Sequence, residues 1–252
     1  MDFLSEHQGI AWITALLAGY LAGSVSFARI VKHLFHSKGK VKKIEREIPD
    51  TDITLESDAV TATTVNLEMG SRFGCLTSLL DMAKAGIPTW FIFYFFPEGN
   101  YFLGTALFAM IGHIYPVYHR FRGGRGLSPL IGSLLVINWY GLLLSNLAAV
   151  FLGYLTGAVL VMRWAWMGLL IVWFAILFKD PWYLAYISAA NFLFFFAMRK
   201  ELATAIKIGK NRKSTQEEIS EFMLMGKGLG RFIDNYGLPA LIRKVFSSKG
   251  SS

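Results

Sequence analysis

The sequence predicts an all-α, polytopic integral membrane protein with about seven transmembrane helices. Three observations lead there. Of the 252 residues, 54% are hydrophobic and the mean hydropathy is +0.45, more apolar than one soluble core requires. Apolar runs of membrane-spanning length alternate with short polar breaks. The 25 Lys and Arg residues, set against 17 Asp and Glu, gather at the ends of those runs, where the cytoplasmic loops of membrane proteins carry them.

A helix needs about 20 mostly apolar residues to cross the hydrocarbon layer, and residues 10–35 supply the first span. Small and hydroxyl residues in Gly23-Ser24-Val25-Ser26 suit close helix packing. Residues 36–72 open with SKGKVKKIEREIPD and are too hydrophilic for the bilayer, so they are expected to form a soluble loop. Residues 73–96 and 101–118 read as a helical hairpin around the turn Pro97-Glu98-Gly99-Asn100. After a basic loop at 119–125, the chain is apolar from 127 to 198. Polar or turn-forming residues at Asn138, at Arg163 and at Lys179-Asp180-Pro181 divide that stretch into about four more crossings, some short enough to be tilted or re-entrant.

The domain organisation expected is a membrane domain over residues 1–200, including the cytoplasmic loop 36–72, and a cytoplasmic tail over 201–252. With about seven crossings the basic loops and the tail fall on one side, which the positive-inside rule makes cytoplasmic. The N-terminus and the turn at Pro97 then face outward, and a plasma-membrane location follows. The tail holds Lys227-Gly-Leu-Gly-Arg231 followed by FIDNYGLPALIRKVF, compatible with helices lying on the membrane surface or with a loosely ordered end.

Charge placement argues against a nucleic-acid partner, because no long basic face is interleaved with aromatic residues. Cys75 is the single cysteine, so an intramolecular disulfide and a thiolate metal cluster are both impossible. The residues before the first apolar run lack the basic stretch and small-residue cleavage site of a signal peptide. No internal repeat is visible.

The most informative segment is Gly112-His113-Ile114-Tyr115-Pro116 followed by Phe121-Arg122-Gly123-Gly124-Arg125-Gly126. Glycines around an arginine let backbone N–H groups approach an anion, and the helix that follows adds its positive end. The same residues also suit a simple turn with a topology signal. His113 could meet a substrate or bond a backbone carbonyl. Asp81 and Lys84, three apart in an apolar run, share a helix face and must pair or point into a polar cavity. Arg163, near a span end, suits snorkelling to the interface. The hydroxyl-rich run from Thr61 through Thr63 and Thr64 to Asn66 is a weaker signal.

In order along the chain, LAGSVSFARIVKHLF, TATTVNLEMG with DMAKAGIP, and GHIYPVYHRFRGGRG resemble the opening helix, first loop and second loop of the PlsY-type acyl-phosphate-dependent glycerol-3-phosphate acyltransferases. The resemblance runs from about Gly19 to Glu201. It implies a seven-helix membrane enzyme that moves a fatty acyl group from acyl phosphate to the 1-hydroxyl of glycerol 3-phosphate, giving lysophosphatidic acid without metal or coenzyme. The implied partners are acyl phosphate, glycerol 3-phosphate and membrane lipid. On this resemblance Gly123, Gly124, Arg125 and Gly126 hold phosphate, with Arg125 where the family usually has lysine. Asp81, Lys84 and His113 are the expected catalytic residues, and Thr63, Thr64, Arg163 and Arg199 the further substrate contacts.

The chain also departs from the family pattern. Ala62 and Thr63 are what remains of the first loop's conserved run, Thr64 stands for its final asparagine, Trp166 for a serine, and Met198 and Glu201 for a histidine and an asparagine. Met198 cannot carry a proton. The alternative reading is therefore a non-catalytic relative that keeps the fold and anion site but binds a lipid headgroup or a partner protein.

Overall fold

The computed structural model describes residues 8–35, 44–47, 54–57, 60–210, 216–217 and 227–242. The chain divides into two compact units, one of residues 1–47, 54–139 and 178–198, the other of 48–53, 140–177 and 199–252. Four helical stretches among the described residues are long and apolar enough to cross a membrane: Gln8–Phe35, Tyr101–His119, Trp139–Thr156 and Val159–Leu177.

In the first unit, the first stretch is two helices, α1 (Gln8–Ser24) and α2 (Phe27–Phe35), where an unbroken span was expected. The Ser24 hydroxyl donates to the Tyr20 carbonyl at 2.8 Å, and the Ser26 carbonyl starts the next helix by accepting from Arg29 and Ile30. Serines compete with the helical ladder through such local bonds. The expectation of close packing at Gly23 holds. Gly19 and Gly23 lie against the backbone of Thr105 and Ala109, and Gly112 against that of Tyr20, all places where a Cβ would collide. Small residues thus let α1 press onto α5 (Tyr101–Ile114).

The polar stretch expected to be a loop contains a small antiparallel ribbon, β1 (Ile44–Glu47) with β2 (Thr54–Ser57), Ile44 opposite Ser57 and Glu47 opposite Thr54. Helix α3 (Ala62–Met69) follows, its first turn closed by a reciprocal capping box between Thr61 and Thr64. A Lys32–Glu68 ion pair fastens it to α2.

Helix α4 (Ser71–Phe95) has 25 residues, about 38 Å at 1.5 Å per residue. That is long enough to span, but it carries Arg72, Asp81 and Lys84. Pro88 lies within it and has no N–H to give to the carbonyl of Lys84. A turn containing left-handed Asn100 (φ 50°) leads to α5. Helix α6 (Leu127–Ile137) packs on α4 where Gly86 meets Gly132 and Gly132 meets the Met82 backbone.

Helix α9 (Pro181–Ala197) is capped by Asp180, whose other carboxylate oxygen accepts from Asn100 at 2.6 Å. Trp12 lies 5.0 Å from Tyr101 and 5.5 Å from Trp182. These rings form an aromatic group of the kind that sits at a membrane boundary. α6 and α9 are apolar but shorter than a full span.

In the second unit, α7 (Trp139–Thr156) and α8 (Val159–Leu177) meet at Gly157, φ +65°. The expected division at Arg163 is thereby corrected, since Arg163 lies within α8. A left-handed turn residue is what glycine accommodates, whereas an arginine on a long side chain sits comfortably inside a helix. The tail supplies α10 (Arg199–Lys210) and α11 (Lys227–Tyr236).

Candidate active site and arginine loop

The break after α1 leaves the Val25 carbonyl without a helical partner along its own chain, and Lys84 reaches it. The ammonium of Lys84 donates to Val25 O at 2.5 Å, lies 2.7 Å from the Asp81 carboxylate and 2.9 Å from His113 Nδ1. An ammonium has three donors, and here three acceptors surround it. All three side chains are buried. The nearer Asp81 oxygen makes an ion pair but no well-directed hydrogen bond, so the carboxylate keeps unused accepting capacity. With Lys84 donating to Nδ1, His113 carries its own proton on Nε2.

The loop from His119 to Gly126 closes over this knot. Gly124 donates its N–H to the His113 carbonyl at 3.0 Å, and the Gly123 carbonyl accepts from Val60 at 3.3 Å. A Cβ on Gly123 would meet the His113 backbone, and one on Gly124 the His113 ring. These two glycines are required for close approach to His113, and the Gly124 N–H is committed to the chain itself. Gly126, left-handed at φ +85°, begins α6. Arg29 ties the loop to the break after α1, donating to Arg122 O at 2.7 Å and to Ser26 Oγ at 3.2 Å.

The cleft bounded by Ser24, Val25, Lys84, His113 and Gly124 holds about 10 Å³, room for about one water. Among the described residues no three of His, Cys, Asp and Glu converge as metal ligands.

Of the residues singled out in the sequence, the fold brings Asp81, Lys84, His113, Gly123 and Gly124 together. Arg125 reaches the last carbonyl of α9, Ala197 O, at 3.0 Å, an interaction that satisfies a helix end. Thr63 is exposed and Thr64 buried. The Thr64 hydroxyl accepts from Thr61 N at 2.9 Å and donates to Thr61 O at 2.6 Å. Arg163, half-buried in α8, and Arg199, exposed at the start of α10, belong to the second unit, as do buried Trp166 and Glu201. Sequence reasoning missed the Val25 carbonyl and Arg29. The serine-flanked Val25 was the available signal for the break.

Comparison with known proteins gives this arrangement a family. A family model described as glycerol-3-phosphate acyltransferase matches residues 13–208, more than half of the chain. A glycerol-3-phosphate acyltransferase of Methylobacillus flagellatus is 32% identical over 167 residues, covering 60% of this chain and 76% of the relative. One of Coxiella burnetii is 33% identical, covering 53% of this chain and 63% of its own length. One of Pelagibacter ubique is 30% identical, covering 50% and 59%, so this chain spans less than two thirds of the latter two. Among solved structures, the crystal structure of PlsY (YgiH), an integral membrane glycerol 3-phosphate acyltransferase in its glycerol 3-phosphate form, is similar with a TM-score of 0.60. It shares 19% identity, with 78% of this chain and 92% of that one covered. That similarity carries the fold, the family match carries the kinship, and the chain is a multi-pass membrane protein belonging to the glycerol-3-phosphate acyltransferase family.

Proposed function

We propose that the protein is a membrane acyltransferase that moves a fatty acyl group from acyl phosphate to the 1-hydroxyl of glycerol 3-phosphate. The observation that carries this reading is the buried Asp81–Lys84–His113 knot directly beneath the Gly123–Gly124 turn. Ionisable groups at membrane depth are costly and are retained where a site needs them. In the reaction the hydroxyl oxygen attacks the acyl carbonyl carbon, and the bond between that carbon and the phosphate oxygen breaks. The phosphate leaves as inorganic phosphate, carrying the hydroxyl proton. Phosphate is a good leaving group, so positioning and charge supply much of the rate.

Lys84 holds His113 in one tautomer, which leaves the Nε2 proton as the group able to donate to an anionic or carbonyl oxygen. Arg122 and Arg125 flank the glycines and supply positive charge for two phosphates. Because the cleft has room for about one water, the reading requires the loop to lift from His113 when substrate enters.

The orientation that goes with this reading has the arginine loop and tail in the cytoplasm and the membrane as the plasma membrane. Two contacts support the orientation. Asn100 meets Asp180, so both turns lie on one side, and Val60 meets Gly123, so the ribbon segment and the arginine loop lie on the other. The basic residues mark that second side as cytoplasmic.

The test is acyl transfer from radiolabelled acyl phosphate to glycerol 3-phosphate by purified protein in bilayers, with Arg125→Ala alongside. Transfer that disappears in the variant supports the enzyme. Absence of transfer in folded protein, beside a working relative, overturns it. A non-catalytic role in binding a lipid headgroup or partner protein is the second reading. It is favoured by the commitment of Arg125 to Ala197 O and of the Thr64 hydroxyl to its own cap.

A further inference from the structure

The family match ends at residue 208, yet the tail beyond it is fastened to the second unit. Gln216 Oε1 accepts from the N–H of Val159, the first residue of α8, at 2.9 Å, and Asp234 accepts from the N–H groups of Gln216 and Glu217. The Pro239 ring lies against Gly157, the turn between α7 and α8. Both of those helices are long and apolar enough to cross a membrane, so this turn is a membrane end and the tail segment is held at it.

Helix α11 and the helical residues 238–242 turn Ile233 and Ala240 inward, while Phe232 (49% exposed), Tyr236 (55%), Leu238 (36%) and Ile242 (46%) face out. The Phe232 and Tyr236 rings pair at 5.5 Å. Large apolar side chains exposed together on an amphipathic segment mark an interaction surface. From residue 227 on, the sequence carries Lys227, Arg231, Arg243, Lys244 and Lys249 against Asp234 alone; Arg231 pairs with Glu217 at 2.8 Å, and the last three lie outside the described residues.

We propose that residues 227–242 form an interfacial anchor that lies on the anionic leaflet at the α7–α8 turn. The Phe232, Tyr236, Leu238 and Ile242 face enters the boundary between headgroups and acyl chains, and the excess of Lys and Arg in the sequence from 227 on favours an anionic surface. An apolar face beside cations is the pattern that binds such a surface, reaching roughly 5–10 Å below the headgroups. The anchor stands on the tail geometry and does not rest on the proposed acyl transfer.

The test uses the full chain in a Cys75→Ser background, since Cys75 is exposed and would also take a label. An environment-sensitive fluorophore is attached at Tyr236→Cys, with Leu238→Cys as a second apolar position and Gly228→Cys as the control. Gly228 is exposed, and nothing lies within 4 Å of a Cβ added there. The protein is reconstituted in phosphatidylcholine bilayers with and without phosphatidylglycerol, and in matched bilayers with brominated acyl chains. The expected result is blue-shifted emission and bromine quenching at 236 and 238 and not at 228, weakened when phosphatidylglycerol is left out. Labels at 236 and 238 as water-exposed as the one at 228 would overturn the anchor. So would labels shielded from water but untouched by brominated lipid, which would mean a protein covers the face, a second copy included.

Discussion

Lys84 and Arg125 are both cations beside the glycine turn, but the fold treats them differently. Lys84 is buried with three acceptors around it, one of them a backbone carbonyl exposed by a helix break. Arg125, half-buried, extends one guanidinium nitrogen to the end of α9. The first region is a closed ionic knot whose parts depend on each other, and the second is a covering loop held at its glycines. A cation's position in sequence thus says little about its task. Burial separates a residue that organises the site from one that can change partners when a ligand arrives.

The largest effect expected is at the knot. Asp81→Ala leaves the Lys84 ammonium in the interior without its counter-ion, and losing one member of a buried pair costs about 3–5 kcal/mol. Thermal unfolding in detergent should show that loss together with abolished acyl transfer. Replacing both charges, as Asp81→Leu with Lys84→Met, should recover much of the stability, because apolar substitutes of similar volume avoid the desolvation penalty. Activity should stay absent. A double variant as unstable as Asp81→Ala would show that the pair's partners, Val25 and His113, carry the packing instead.

Next comes Gly124→Ala. The added methyl enters the His113 ring, and overpacking of this kind costs about 1–3 kcal/mol. Transfer should fall steeply, because the loop can no longer sit on His113. Gly168→Ala makes the matched control in α8. Nothing lies within 4 Å of its added Cβ, and exchanging a helical glycine for alanine stabilises by about 1 kcal/mol. If both alanines behave alike, close approach of the loop is not what the site needs.

Arg125→Ala removes the contact to Ala197 O from a side chain half in solvent, so its stability cost should be about 1 kcal/mol. Its kinetic cost should be larger. On the proposed function KM for glycerol 3-phosphate rises, whereas Arg125→Lys, which keeps the charge without the planar fork, recovers part of the affinity. A variant whose stability falls while KM is unchanged would leave Arg125 as the fastening of α9 and nothing more.

Much of the fold could be read from run length. The apolar stretches became helices, and the hairpin around Pro97 and the boundary at Asn138 fell where the polar residues stood. Gly157 was overlooked in favour of Arg163 because charge is a conspicuous mark and backbone handedness is a silent one. The ribbon at Ile44–Glu47 arose in a stretch where polarity alone reads as loop.

At the site, Asp81 and Lys84 were legible because two charges three residues apart in an apolar run demand a reason. His113, 29 residues further on, stands opposite Lys84 across the hairpin, both equally far from the turn at Pro97–Asn100; what spacing did not show is the Val25 carbonyl beside them, since α1 had first to break and to approach α5 closely through Gly19 and Gly23. The use of Gly124's N–H within the chain was hidden for the same reason. A glycine-rich spacing announces close backbone approach but not which oxygen is approached.

The smallest effect separates two roles for Thr64, which the family resemblance makes a substrate contact and the geometry makes part of a helix cap. Thr64→Val keeps the shape and removes the hydroxyl that meets Thr61 at both its N–H and its carbonyl. Loss of a capping interaction costs about 1 kcal/mol, and α3 also holds Lys32 through Glu68, so the loss should appear as a small drop in melting temperature. If capping is the whole task, KM for glycerol 3-phosphate stays at its original value and Thr64→Ser restores stability. A raised KM at unchanged melting temperature would instead mean that α3 releases its cap when substrate enters, making the loop and the first turn of α3 parts of one moving cover over the Asp81–Lys84–His113 knot.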